Sequence, residues 1–439
     1  MDSLLARNIP VQSSIFGVRK QKILSDNSRQ GIIDCFHGES PFAPVPKVIE
    51  LLHRATLLNS EIVLPYQKSQ PGDIGLRKLF AEKVFYRFAE PVSPENIIVS
   101  PYSSTILLDA VVRSLCVDGE NNIFLAPAGF YKSNTNHVIP WNASLHVMPL
   151  DKDYKLSAQT LAETLKDTPN VRGVMLTYPG NPFLIQYNED ELKEFAVILE
   201  EFNCRVICDS LFQEMIDDHF PIANFYYDKT LTIGGISKSH NASGPYKMGA
   251  ACSGDKEWLK RVSEQMPQTL QKETTLAAWL FLAHTPPTYF SENREIMAEQ
   301  QKKFADGIDT LNNKQKIFEI VAPSKTGMFA NVALTSEGME RMGITFGWEL
   351  AELLLMNGIT SVPGDQTGFD SKPMVRLNIL APIINQRKSP ENIEYLLKRL
   401  EECQNNTLSY SQCLAGYELM PDVYSALHRC NFGRYDGSR

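Results

Sequence analysis

The chain has 439 residues, of which 43% are hydrophobic, and a formal net charge of −8 at pH 7. This length and composition allow two globular sub-domains with a sizeable core, and the acidic balance argues against nucleic acid as the main partner. The sequence contains no run of about 18 apolar residues, so we expect no membrane span. The eight scattered cysteines show no C-x-x-C pair or zinc spacing, so we expect a reduced, cytoplasmic protein without a metal site.

The first part of the chain predicts a short strand and a helix. The strand lies near residues 32–36 and runs into a loop that contains Gly38, and the helix covers 47–58. A loop with Gly72 and Gly75 then leads into a second helical pattern.

The middle of the chain alternates between strands and helices. Apolar and β-branched runs predict strands, with helical patterns in the intervals between many of them, at 97–100, 123–126, 174–177, 205–209, 229–233 and 248–252. This alternation indicates an α/β fold, with a mostly parallel sheet between two layers of helices.

The last part of the chain changes character. A helical pattern covers 266–306, and short strands then alternate with helices, which indicates a smaller α+β domain. We predict an N-terminal arm with part of the small domain in 1–60, a large domain in 61–305, the small domain in 306–400 and an irregular extension in 401–439.

Polar residues follow several predicted strands: Ser103 and Ser104, Asn181, Asp209 and Lys238. In an open parallel sheet such positions converge on one crevice. Each also has an ordinary structural explanation, as a helix cap, a turn residue or a solvated loop cation. In a desolvated site, however, the pKa of a lysine is lowered, and its neutral amine can attack a carbonyl to form a Schiff base.

The order of these segments resembles the class I/II aminotransferase family, the pyridoxal-phosphate enzymes of fold type I, over roughly residues 30–400. The matching motifs are Tyr66 with Gly72-x-x-x-Leu76-Arg77, Ser100 to Thr105, Tyr178-Pro179-Gly180-Asn181-Pro182, Asp209-Ser210-Leu211-Phe212, Ser237-Lys238 followed by Lys247-Met248-Gly249, Val362-Pro363-Gly364 and Val375-Arg376-Leu377.

The resemblance implies a role for each matching residue around the coenzyme. Lys238 would hold it as a Schiff base and then shuttle a proton. Asp209 would pair with the pyridine nitrogen, and Asn181 would bind the ring's 3-oxygen, with Phe212 beside it. The coenzyme phosphate would be bound by Ser103, Ser104, Ser237 and Lys247.

The resemblance also implies contacts with the substrate and with a second subunit. Arg376, with Gly38 and Asn181, would bind the substrate carboxylate. Tyr66 would reach the phosphate of the neighbouring subunit, which implies a homodimer. In the family, a ring at the position of Gly129 or Phe130 stacks on the coenzyme. The aromatic pair Phe130 and Tyr131 could stack on a planar ligand in this way, or it could simply fill a loop.

Five positions depart from the family pattern. Phe212 replaces a tyrosine, Tyr102 a glycine, Gly235 a serine, Tyr178 an asparagine, and Lys247 an arginine, one residue further from Lys238 than is typical.

Three functions follow from this resemblance. The leading expectation is transfer of an amino group from an α-amino acid to a 2-oxo acid. The alternative uses the same carbanion for elimination or replacement, cyclisation or oxidation in a specialised-metabolite pathway. A non-catalytic sensor is a third possibility, although Met1 to Arg29 lacks the DNA-reading helix pair that such regulators usually carry.

Overall fold

The computed structural model describes residues 33–40, 42–58, 67–68, 70–242, 246–381, 393–406 and 408–415. Tyr66 lies outside these residues. The α-helices are α1 (Pro46–Leu58), α2 (Ile74–Lys83), α3 (Ser104–Leu115), α4 (Asn134–Val138), α5 (Ala158–Asp167), α6 (Glu189–Glu201), α7 (Ile236–Ser239), α8 (Lys256–Glu264), α9 (Lys272–His284), α10 (Pro287–Asn312), α11 (Ser336–Met342), α12 (Gly347–Met356), α13 (Ile393–Asn405) and α14 (Tyr410–Ala415). In the described chain, none of these helices is both long and apolar enough to cross a bilayer.

The strands are β1 (Ile33–Asp34), β2 (Gln67–Lys68), β3 (Ile97–Pro101), β4 (Asn122–Pro127), β5 (Ala143–Met148), β6 (Val171–Thr177), β7 (Val206–Asp209), β8 (Thr230–Gly235), β9 (Met248–Cys252), β10 (Thr269–Leu270), β11 (Phe318–Val321), β12 (Phe329–Leu334), β13 (Ile359–Thr360), β14 (Val362–Pro363) and β15 (Met374–Asn378). Single 3₁₀ turns lie at Pro94–Asn96, Ile139–Trp141, Gln213–Met215, Ile222–Asn224 and Gly364–Thr367.

The chain divides into two compact units. The large unit contains Phe42–Asn181 and Ile185–Asn293, and the small unit contains β1, Pro182–Leu184 and the described chain from Arg294 onward. These boundaries differ from the predicted ones. Helix α1 belongs to the large unit, and the later boundary lies within α10 and not at residue 305. The predicted irregular extension begins with the end of α13 and continues into α14.

The central sheet of the large unit has the strand order β3-β9-β8-β7-β6-β4-β5. Strands β4 to β8 pair in parallel, and β9 runs antiparallel to both β3 and β8. The predicted α/β fold with a mostly parallel sheet is confirmed. Because two antiparallel steps separate β3 from β8, the ends of β3, β6, β7 and β8 all lie at one edge, together with the start of β9.

Both faces of this sheet are buried, as the side-chain alternation of a strand requires. In β4, Phe124 and Ala126 pack in one core cluster with α3 and α8. Their neighbours Ile123 and Leu125 pack on the opposite face with α5 and α6. Burial on both faces explains why the strands of this unit are almost continuous apolar runs.

The small unit has an antiparallel sheet with the strand order β11-β12-β15-β14, and β1 pairs in parallel with β13. Helix α14 packs on α12 through Tyr410, whose hydroxyl donates to Glu352 Oε2 at 2.7 Å. The Tyr410 ring also meets Trp348 edge-on.

Candidate active site

Strands β7 and β8 place Asp209 and Lys238 at the same edge of the sheet. Asp209 is in register with Ile233, and the next residue, Ser210, donates its N–H to the Ile233 carbonyl at 2.8 Å. Helix α7, which carries Lys238, follows β8 directly. The sequence prediction that these two strand ends converge agrees with this geometry.

Asp209 is a buried carboxyl, with 6% of the residue exposed. Burial raises its pKa to about 6, and the Leu211 N–H, the charge of Lys238 and the Ser104 hydroxyl act in the opposite direction. Near neutral pH such a group changes between acid and carboxylate according to the cation beside it. This environment suits a carboxylate that pairs with a cationic ring nitrogen.

The turn between β3 and α3 places Ser103 and Ser104 at the same edge of the sheet. Ser103 precedes α3 with φ +60° and ψ −136°, and its side chain does not cap that helix. Its Oγ instead accepts a hydrogen bond from the Ser237 hydroxyl at 2.9 Å. The simple explanation of Ser103 as a helix cap therefore does not hold, and the first N–H groups of α3 remain available to an anion.

Two glycines let this turn lie against β8 and β9. A Cβ on Gly235 would lie 2.9 Å from Ser103 Oγ and from the Met248 carbonyl oxygen. A Cβ on Gly249 would lie 2.9 Å from Ser103 Cα. The departure at Gly235 thus has a steric reason, because Ser103 fills the space that a side chain would need.

Lys247 lies next to the same turn. It is partly buried and immediately precedes β9, and its carbonyl accepts the Tyr102 N–H at 3.0 Å. The Tyr102 ring itself is exposed. The backbone pairing thus places Lys247 beside the turn that carries Ser103.

The turn after β6 is tied to β7. The Tyr178 N–H donates to the Asp209 carbonyl at 2.9 Å, and the Ser210 hydroxyl donates to the Tyr178 carbonyl at 2.7 Å. Asn181 ends this turn and is buried. The Tyr178 ring is buried beside His219, with the ring centroids 4.7 Å apart.

The aromatic residues of the predicted site are placed differently. Phe212 is buried and immediately precedes the 3₁₀ turn Gln213–Met215. Phe130 is buried in the core cluster on the α3 side of the sheet. Tyr131 is only partly buried, and its N–H donates to Thr177 Oγ1 at 3.2 Å, on the residue in register with Asp209. The stacking role of Phe130 stays a prediction, and Tyr131 is a further candidate.

The small unit brings Arg376 and the Gly38 loop together. The guanidinium of Arg376, on β15, donates to the Phe36 carbonyl and lies 4.2 Å from the centre of the Phe329 ring. The Asn378 amide donates to the carbonyls on both sides of Gly38, those of His37 and Glu39, at 2.8 Å each. These contacts fix the loop backbone on β15.

Sequence reasoning missed the residues that follow Lys238. Ser239, His240 and Asn241 are each held by a side-chain hydrogen bond. The signal available in the sequence was the polar run Ser237-Lys238-Ser239-His240-Asn241, which follows a wholly buried strand and so requires internal partners.

Comparison with known proteins decides the family. The model of the family described as "Aminotransferase class I and II" matches residues 33–400 of the chain. The chain belongs to the class I and II aminotransferase family. The predicted family is confirmed, as is the prediction of a pyridoxal-phosphate-dependent aminotransferase, since enzymes of this family use that coenzyme and act on amino acids.

Two relatives illustrate the similarity in sequence. The probable N-acetyl-LL-diaminopimelate aminotransferase of Bacillus subtilis is 28% identical over 315 residues, which are 71% of this chain and 76% of that protein. The probable aspartate/prephenate aminotransferase of Thermus aquaticus is 24% identical over 332 residues, 74% of this chain and 81% of that protein.

Solved structures share the fold. The aspartate aminotransferase of Thermotoga maritima has a TM-score of 0.76 at 17% identity, covering 92% of this chain and 100% of that chain. The N-succinyldiaminopimelate aminotransferase of Mycobacterium tuberculosis has a TM-score of 0.75 at 20% identity, with the same coverage. These aminotransferases confirm the fold type I architecture.

The donor groups at the sheet edge of this aminotransferase fit pyridoxal phosphate. The set contains an amine for an aldehyde, a buried carboxyl for a ring nitrogen, and hydroxyls with a helix N-terminus for a phosphate. The Ser103 turn, against which Gly235 and Gly249 lie with no room for a side chain, is the kind of backbone that approaches a phosphate closely.

Proposed function

We propose that this aminotransferase uses Lys238 as the amine that holds the coenzyme and moves the proton at the substrate's α carbon. The amino group would pass from an α-amino acid to a 2-oxo acid. The observation that carries this proposal is the buried Asp209 carboxyl at the end of β7, beside the end of β8, which Lys238 follows directly. Bound pyridoxal phosphate supplies an electron-withdrawing ring that accepts the negative charge developing at the α carbon.

The remaining groups of the large unit would position the coenzyme. Asp209 would stay ionised opposite the ring nitrogen and hold a proton there. Asn181 would donate to the ring's 3-oxygen, Phe212 would contribute no hydroxyl to it, and Phe130 would stack on the ring.

The phosphate would be bound by two kinds of donor. The hydroxyl of Ser103 and the backbone N–H of Ser104 lie at the start of α3, where the helix dipole favours an anion. The Ser237 hydroxyl lies 2.9 Å from Ser103 Oγ, whereas the Ser104 hydroxyl bonds the Asp209 carboxyl. Lys247 would add a point charge and not a bidentate fork.

We further propose that Arg376 binds the substrate α-carboxylate, with Gly38 and Asn181 as additional contacts. The Phe36 carbonyl and the Phe329 ring restrain the guanidinium, so little rotamer freedom is left to lose on binding. Arg376→Lys keeps the charge but removes the fork, and we expect it to raise KM about tenfold or more with a smaller effect on kcat. An unchanged KM would exclude this role.

The names of the relatives bear on the substrate class. The relatives are named for acylated diaminopimelates, aspartate and prephenate, so we propose only the class of α-amino acids. A homodimer, in which Tyr66 reaches the neighbouring subunit's phosphate, and a cytoplasmic location are proposed with it. The cytoplasmic location is supported by the free cysteines of the described chain, such as Cys208 and Cys252.

The proposal is tested by absorbance. The purified protein should carry the visible band of bound pyridoxal phosphate, and one amino acid of a panel should convert that band to the near-ultraviolet band of the amine form. A 2-oxo acid should then restore the visible band. If an amino acid is consumed without any requirement for a 2-oxo acid, elimination, cyclisation or oxidation replaces transamination. A protein that binds no coenzyme contradicts the whole assignment.

A further inference from the structure

Helix α7 cannot fix the position of Lys238 by itself. It consists of the four residues Ile236–Ser239, and the residue before it, Gly235, offers no side-chain cap. A single turn lies below the length at which helix formation becomes favourable, because nucleation restricts several residues for one hydrogen bond. The orientation of Lys238 therefore depends on contacts made around this turn.

A chain of two hydrogen bonds joins the ends of α7. The Ser239 hydroxyl donates to the Gly235 carbonyl at 3.0 Å, and His240 Nδ1 lies 2.7 Å from Ser239 Oγ. A hydroxyl has one hydrogen, and a carbonyl can only accept. Since that hydrogen goes to Gly235, His240 must donate its Nδ1–H to Ser239.

Burial fixes the state of this imidazole. His240 is 2% exposed, and desolvation lowers its pKa to about 3, so burial favours the neutral ring. A neutral imidazole carries its proton on only one nitrogen, and the bond to Ser239 selects Nδ1.

The first turns of α10 hold the same segment from outside. The Phe290 ring meets His240 edge-on with centroids 5.0 Å apart. Asn241 Nδ2 lies 2.5 Å from the Tyr289 hydroxyl, which in turn donates to the Ala43 carbonyl at 2.9 Å. The imidazole is thus packed on one side and bonded to α7 on the other.

We propose that His240 is a positioning residue for Lys238, because its Nδ1–H and the Ser239 hydroxyl lock the one-turn helix and hold the amine where the coenzyme aldehyde must meet it. This inference rests on the proposed role of Lys238. It predicts that losing the Nδ1 donor weakens the covalent attachment of the coenzyme but not the binding of its ring and phosphate.

Two forms of the coenzyme separate these effects. The Lys238 amine condenses with the aldehyde of pyridoxal phosphate, forming a C=N bond with loss of one water. Pyridoxamine phosphate has no aldehyde and binds only through its ring and phosphate. The dissociation constants of both forms are measured for the apoprotein by fluorescence quenching. Borohydride reduction and mass spectrometry count the lysine adduct.

Three variants supply matched controls. His240→Phe keeps a ring beside Phe290 and removes the donor. His240→Asn places an amide N–H close to the position of Nδ1, whereas His240→Gln moves it away from that position. We expect H240F and H240Q to bind pyridoxal phosphate about three- to tenfold more weakly, with pyridoxamine phosphate unchanged and H240N close to wild type.

The outcomes are distinct. Equal weakening of both coenzyme forms, or wild-type values throughout, would overturn the inference. If the wild type binds neither form, the proposed function itself fails. Should H240F not fold, Ser239→Ala tests the same hydrogen-bond chain, and H240N and H240Q still differ by the position of one N–H.

Discussion

Among the residues that the structure describes, each of the two units buries one aspartate with a raised pKa. Asp209 in the large unit is 6% exposed and Asp365 in the small unit 3%. Burial is the main cause in both cases, raising the pKa of Asp209 to about 6 and that of Asp365 to about 7. The pKa values alone do not say which of the two belongs to an active site.

The neighbours of the two carboxyls differ. Asp365 accepts the Trp348 N–H at 2.7 Å at the start of α12, and the nearby carboxylates of Asp370 and Glu349 raise its pKa further. Asp209 has the cation of Lys238 and the Ser104 hydroxyl beside it. A buried acid that caps a helix is part of the architecture, whereas a buried acid with a lysine cation beside it is equipped for chemistry.

Removing the cation should have the largest effect. In Lys238→Ala the amine is lost, and Asp209 becomes a buried carboxyl without the lysine cation that distinguishes it from Asp365. We expect turnover to fall by at least about 10²- to 10⁴-fold, the usual contribution of a positioned proton-transfer group. Lys256→Ala, which removes an exposed pair with Glu95, should leave turnover unchanged in the same steady-state assay. Substantial residual activity in K238A would identify a non-covalent or non-enzymatic role.

Matched Asp→Asn changes compare the two acids directly. Asp209→Asn removes the charge opposite the coenzyme ring and should lower turnover by about 10²- to 10³-fold. Asp365→Asn keeps an oxygen for the Trp348 N–H and should stay within about twofold of wild type. Equal losses in kcat/KM for both variants would show that the neighbours do not distinguish the two sites.

A smaller effect is expected at Ser104. Its hydroxyl bonds the Asp209 carboxyl and lowers the pKa of that group, so Ser104→Ala should let the pKa rise and reduce turnover about three- to tenfold. Ser114→Ala on the same helix removes the acceptor of Trp258 Nε1 and should lower thermal stability without changing turnover. The comparison fails if S104A leaves the pH profile of kcat unaltered.

Much of this site could be predicted from local pattern. The sequence predicts β9 at 248–252, which is where it lies, and it predicts β7 one residue longer than the observed Val206–Asp209. Buried parallel strands are short apolar runs ended by polar residues, so Asp209 and Lys238 could be placed at strand ends from the sequence alone.

Long-range packing could not be predicted in this way. The partner of Ser103 is Ser237, 134 residues away, and the tight fit at Gly235 depends on that contact. The helical pattern expected from residue 266 is interrupted by β10, a two-residue strand that pairs with β2, about 200 residues earlier in the chain. A continuous helix such as α10 likewise carries no local signal for where one unit ends.

The smallest effect is a pH dependence of stability in the small unit. The folded pKa of Asp365, about 7, lies above its ordinary value of 3.8, so its contribution is complete below pH 3.8 and is lost as the pH rises through about 7. Between pH 6.5 and 8 the free energy of unfolding of the coenzyme-free wild type should fall by about 1 kcal/mol more than that of Asp365→Asn. One pKa unit is worth about 1.4 kcal/mol, and the fall levels off once the pH exceeds the folded pKa. Urea unfolding at both pH values measures this difference. Asp209 titrates in both proteins, so its contribution cancels when the two are compared. If the free energy of unfolding changes equally with pH in both proteins, the carboxyl of Asp365 is ionised throughout this range and acts as a charged cap of α12.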